Sequence, residues 1–138
     1  PRRYRLLAEI LAGVARGMLP DPRKAAVEAG RQWGAYLTDR PPPFHRTGTT
    51  EATGRLVDTL AELGFEPEAE QGPGADIRIR VRNCPFREVA EQHEDVVCSI
   101  HLGLMRGAVA EMRAPLSVTD LQPFVEPNLC LAHITREE

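Results

Sequence analysis

The apolar period of this chain first changes at Gly64–Phe65, and that change constrains the fold class more than any other feature. Before it, apolar residues recur at three- and four-residue steps, as on one face of a helix. After it, "IRIRVR" alternates strictly, with Ile77, Ile79 and Val81 on one side and Arg78, Arg80 and Arg82 on the other. A chain that carries both periods in separate blocks folds as helices packed against a sheet.

The helical block contains three segments. Tyr4, Leu7, Leu11, Val14 and Met18 form one stripe, widened by Leu6 and Ile10. Their spacing suits a helix–helix seam, facing either the core or a second copy of the same helix. "PDPRKAAVEAGRQWGAYL" restarts the pattern, with Asp21 as cap and Pro22 at the first helical position. Ala26, Gly30, Trp33 and Leu37 mark one face of it, and Gly30 and Gly34 permit close backbone approach. The prolines of "DRPPPFHRTG" end this helix and suggest a mobile loop able to cover a pocket. A threonine-capped third helix follows, with Leu56, Val57, Leu60 and Leu63 apolar and Gly64 as its stop.

Beyond Phe65, "FEPEAE" and "IRIRVR" flank the turn "QGPGAD" as a hairpin. The arginine stripe reads as a solvated face. "PFREVAEQ" is a short helix, and Asp95 can cap a longer one, "VVCSIHLGLMRGAVAEM". Two strands, "LSVTDLQPFV" and "PNLCLAHI", close the chain. The expectation is an α+β fold: N-terminal helices followed by ββααββ, with an antiparallel sheet of about four strands. Residues 1–40 form a helical dimerisation segment and 41–138 an α+β sensor domain.

Composition narrows the function. Net charge is −3, so the chain itself lacks the basic face of a nucleic-acid binder. Three cysteines, an odd count, do not suggest a secreted disulfide framework. No apolar run approaches a membrane span and no signal peptide is visible, so no membrane partner and a cytoplasmic location are expected. There is no phosphate-cradling glycine loop, zinc-hydrolase helix or nucleophile elbow, so the chain does not read as an enzyme. Glu88, Glu91, Glu94 and Asp95 read as a solvated helix face.

The cysteines carry the distinctive chemistry. Cys98 and His101 share one helix face, a turn apart. Cys84 follows the arginine-striped strand, at the positive end of a short helix. Cys130 lies in the last strand. If that strand pairs with the hairpin, three thiolates and an imidazole meet in a set suited to zinc or to an iron–sulfur cluster. The alternative is plain packing, since free cysteine behaves as a small buried hydrophobe.

"RYRLLAEIL", "AGRQWGAYL", "NCPFREVA", "VCSIHLGLMRGAV" and "LQPFVEPNLC", in that order, resemble the C-terminal effector region of bacterial ArsR/DeoR-like winged-helix regulators. That group includes the iron–sulfur-sensing repressors of cluster-assembly operons. The resemblance implies a homodimer whose DNA contacts come from an N-terminal winged helix, which this chain lacks. It also implies a metal site at Cys84, Cys98 and Cys130. Cluster-sensing members carry a further cysteine after the long helix, where this chain reads "AEMRAPLSV". His101 is the candidate replacement, and zinc and an iron–sulfur cluster both stay open. A second reading follows from a likeness to vinyl-reductase-type ligand-binding domains. It places an apolar ligand among Leu60, Phe65, Leu104, Met105 and Phe124, with the cysteines structural.

Overall fold

A computed structural model of the chain describes residues 4–137. The α+β order is as the periodicity predicts. Helices α1 (Tyr4–Met18), α2 (Pro22–Tyr36) and α3 (Thr49–Glu62) come first. Strands β1 (Glu66–Gln71) and β2 (Asp76–Arg82), helices α4 (Arg87–Gln92) and α5 (Glu94–Glu111), and strands β3 (Leu116–Glu126) and β4 (Leu129–Arg136) follow. The sheet is antiparallel with order β1-β2-β4-β3. The last strand therefore lies beside the arginine-striped one, with Cys130 opposite Val81.

The inner face of this sheet is the core. Ile77, Ile79 and Val81 of β2 join Cys130, Ala132 and Ile134 of β4 against Leu56 and Leu60 of α3 and Met105 and Met112 of α5. On the outer face, Glu66, Glu68 and Glu70 stand directly opposite Arg82, Arg80 and Arg78. Opposite charges at facing positions support the pairing. Of these, Arg80 and Glu70 form an ion pair at 3.1 Å. Pro67 and the glutamates also blunt β1 as an edge.

Gly64 ends α3 as expected, in a left-handed turn at φ 105°. The Gly64 and Phe65 N–H groups donate to Ala61 and Leu60, the paired bonds of a Schellman stop. That stop drives Phe65 into the core. Arg113 ends α5 in the same way at φ 54°, without a glycine. Its guanidinium donates to the Pro41 and Pro42 carbonyls at 3.0 Å. Thr47 donates to the Met112 carbonyl, and Arg40 pairs with Glu111. The proline loop is thus strapped across the end of α5 rather than left as a free lid.

Three local expectations change. The buried face of α2 is Ala26, Gly30 and Gly34, while Trp33 and Leu37 face outward. The reason is its partner: Gly30 and Gly34 lie against the Ile100 and Leu104 backbone of α5, and Gly103 and Gly107 against the Val27, Arg31 and Ala35 backbone of α2, so the backbones themselves touch. A Cβ at Gly103 would overlap the Val27 carbonyl oxygen, and one at Gly34 the Leu104 carbonyl oxygen. Helix α3 starts after Gly48, with no side-chain cap. Helix α5 starts at Glu94 after His93, and Asp95 pairs with Arg16 of α1 at 2.9 Å instead of capping. Asp21 does cap α2, accepting from the Lys24 N–H.

Candidate metal centre

The strand order gathers what the sequence separates. Cys84 sits in the β2–α4 turn, Cys98 in the first half of α5, and Cys130 near the start of β4. The turn is fixed from outside. Asn83, at φ 53°, donates its backbone N–H to the Asn128 side-chain oxygen, and the Asn128 amide donates back to Asn83 Oδ1 at 2.6 Å. This clamp ties the turn that carries Cys84 to the hairpin that leads into Cys130.

All three thiols are free and pack against one core. Cys130 is 5% exposed, and Cys84 and Cys98 are half-buried. Burial pushes every one of the three thiol pKa values upward. Each also feels a neighbouring negative charge. Cys98 is pushed up to about 12, chiefly by burial, then by Cys130, Glu94 and Cys84. Cys84 is raised by burial and by Cys130, against a bond from the Phe86 backbone N–H. Cys130 is raised by burial and by Glu94, against a bond from the Phe124 N–H. Phe124 sits in the β3 irregularity at φ 48°. For Cys84 and Cys130 the backbone contribution offsets only part of the rise that burial causes.

His101 lies one turn beyond Cys98. It is 4% exposed, and its Nε2 has no hydrogen-bond partner. Its ring stacks on Phe65, centroids 4.4 Å apart, and Phe65 meets Phe86 edge-on at 5.8 Å. Burial pulls the imidazole down to about 4, so it is neutral near pH 7 and able to donate a lone pair.

Among the described residues, no three His, Cys, Asp or Glu side chains stand in metal-holding geometry. The thiols pack against one core without being drawn into such a group. Their donor chemistry fits a thiophilic metal: three sulfurs, and a neutral imidazole on the same helix face as Cys98.

Sequence reading missed Glu94, Asn83 and Asn128. Glu88, Glu91 and Asp95 pair with Arg5, Arg87 and Arg16, but Glu94 has no ion pair among the described residues and bears on two thiols. Its position four residues before Cys98 was the available signal. The asparagines carried none, since their meeting depends on the sheet order.

The residues of the second reading are distributed differently. Leu60, Phe65 and Met105 are fully buried core, and Phe124 packs against that core. Leu104 lies at the glycine crossing. The space beside Leu60, Leu104 and Met105 measures about 10 Å³, against the hundreds of Å³ of a small-molecule site.

No known family model matches the chain, and no curated protein matches it significantly. No helix among the described residues is long and apolar enough to cross a membrane.

Proposed function

We propose that this chain is the sensing and dimerisation domain of a DNA-binding transcriptional regulator, and that Cys84, Cys98, Cys130 and His101 hold a zinc ion or an iron–sulfur cluster. The supporting observation is the packing of three free thiols, from a turn, a helix and a strand distant in sequence, against one core. When bound, the metal group supplies a cross-link among those three elements.

The residues then act as follows. Cys130 carries the end of the sheet, Cys98 the start of α5 and Cys84 the start of α4. Drawing the sulfurs together fixes the position of α4 and of the first turns of α5. Those elements hold α1 through the Arg5–Glu88 and Arg16–Asp95 ion pairs. The state of the thiols is thereby passed to the N-terminal helix, whose seam joins two copies and sets the spacing of DNA-reading heads on a separate winged-helix domain. Thiols held so far above neutrality must give up protons to bind, so uptake releases protons and weakens as pH falls.

Anaerobic purification followed by elemental analysis and visible absorbance tests this reading. Colour with iron and sulfide identifies a cluster; a colourless chain with one zinc identifies a zinc site. A Cys98→Ser variant loses the metal and melts at a lower temperature than the loaded parent. Equal metal content in variant and parent contradicts the assignment.

A further inference from the structure

Helix α1 carries two apolar surfaces that meet along one line. Its outer ridge is Tyr4, Leu7, Leu11, Val14 and Met18, each between 52% and 78% exposed. Its inner side is a row of small residues, Ala8, Ala12 and Ala15, which floors a groove of about 400 Å³. Phe86 of α4 and Val97 and Ile100 of α5 form the opposite wall. Leu11 belongs to both surfaces.

We propose that the α1 ridge of a second copy seats in this groove, and reciprocally, as a two-fold dimer. The inference rests on the dimer half of the function proposed above and not on the metal. Three observations select this occupant. The groove is lined by hydrocarbon side chains alone, whereas small-molecule sites carry a few polar groups that orient the ligand. The charges at its rim are already satisfied by Arg5–Glu88 and Arg16–Asp95, both within 2.9 Å, so an apolar partner strands no charge. A two-fold contact needs ridge and receptor on the same chain, and α1 supplies the ridge and the groove floor together.

The area is also adequate. The five ridge residues, with Leu6 and Ile10 beside them, are all about half exposed or more. At on the order of 100 Å² apiece they approach the roughly 800 Å² per partner of a standard interface. The small floor of Ala8, Ala12 and Ala15 lets a second helix approach closely.

The groove also adjoins Cys84. Phe86 lines the groove and lies two residues after Cys84 in the same turn. Its ring meets Phe65, which stacks on His101. A change at Cys84 moves a wall of the interface, and by linkage dimerisation changes the affinity of the thiols for their ligand by the same factor.

Sedimentation equilibrium of the whole chain, with and without zinc, tests the proposal. The parent is expected to be a dimer at micromolar concentration. Val14→Arg on the ridge and Val97→Arg on the groove wall should each raise the dissociation constant about a hundredfold or more, as for central interface positions. Far-UV circular dichroism should stay unchanged in both. If Val97→Arg loses helical signal, Phe86→Ala, at a side chain 41% exposed, makes the same test of the wall. A monomeric parent overturns the proposal. So does a dimer broken by Val14→Arg but indifferent to every wall variant, because its helices then pair ridge to ridge. A metal-binding monomer would leave the sensor reading standing, and a metal-free dimer would leave the interface standing.

Discussion

Helices α1 and α2 both lie against α5, and they do so in opposite ways. α2 meets it backbone to backbone through Gly30, Gly34, Gly103 and Gly107, with no space for even a Cβ. α1 stands off on an alanine row and two exposed ion pairs, leaving a groove of about 400 Å³ beneath it and a ridge of large apolar side chains outside. The closed contact holds one conformation, since neither backbone can shift without collision. The open one leaves apolar surface on both sides of a helix, which a lone soluble domain rarely does. In this molecule the α2 contact closes within one chain, and the α1 contact leaves open the surface that the proposed dimer would use.

The strongest way to break that contrast is at the closed contact. Gly103→Ala forces the Val27 carbonyl and α2 away from α5. Overpacking of this kind costs about 3 kcal/mol, enough to lower the Tm by roughly 10 °C in a domain of this size. A Tm within a degree or two of the parent would show that the helices can part cheaply.

Acid probes the same side of the molecule. His101 is neutral in the folded chain, with its pKa lowered by burial from 6.5 to about 4. The unfolded chain therefore binds more protons between those values, so stability is fully present above pH 6.5 and is lost as pH falls toward 4. The loss amounts to roughly 3 kcal/mol. Denaturant midpoints measured across this window should fall, and a His101→Gln variant should flatten the slope. An unchanged slope in the variant would assign the acid sensitivity to other groups.

The smallest effects belong to α1. Arg16→Ala removes a pair in which Arg16 is half-exposed and Asp95 partly buried, and should cost about 1 kcal/mol. Gly13 faces open space, so Gly13→Ala should stabilise by about 0.5–1 kcal/mol through helix propensity alone. Thermal melts of the two glycine variants thus move in opposite directions, which is the contrast in its sharpest form.

How far the sequence disclosed all this differs between fold and site. Periodicity found every element, because Ile77, Ile79 and Val81 alternate and Leu56, Leu60 and Leu63 recur helically whatever surrounds them. It turned α2 the wrong way, toward Trp33 and Leu37. Glycine carries no hydrophobic signal, and the buried face is set by glycines on both helices at once. It misplaced the start of α5, because Asp95 is claimed by Arg16 from a helix far away in the chain. Cys84, Cys98 and Cys130 were legible as candidates by residue type alone. Their packing against one core depends on β4 lying beside β2 and on the Asn83–Asn128 clamp, neither of which any local pattern encodes. Glu94 was hidden among acids that do form ion pairs.

The claim that the three sulfurs act as one site is tested most directly by titrating the reduced chain with cobalt(II) under anaerobic conditions and following thiolate-to-metal charge transfer in the near ultraviolet. One cobalt per chain is predicted, with the band reduced in each of Cys84→Ser, Cys98→Ser and Cys130→Ser. A chain that gives no such band, or one whose band survives all three single substitutions unchanged, contradicts it.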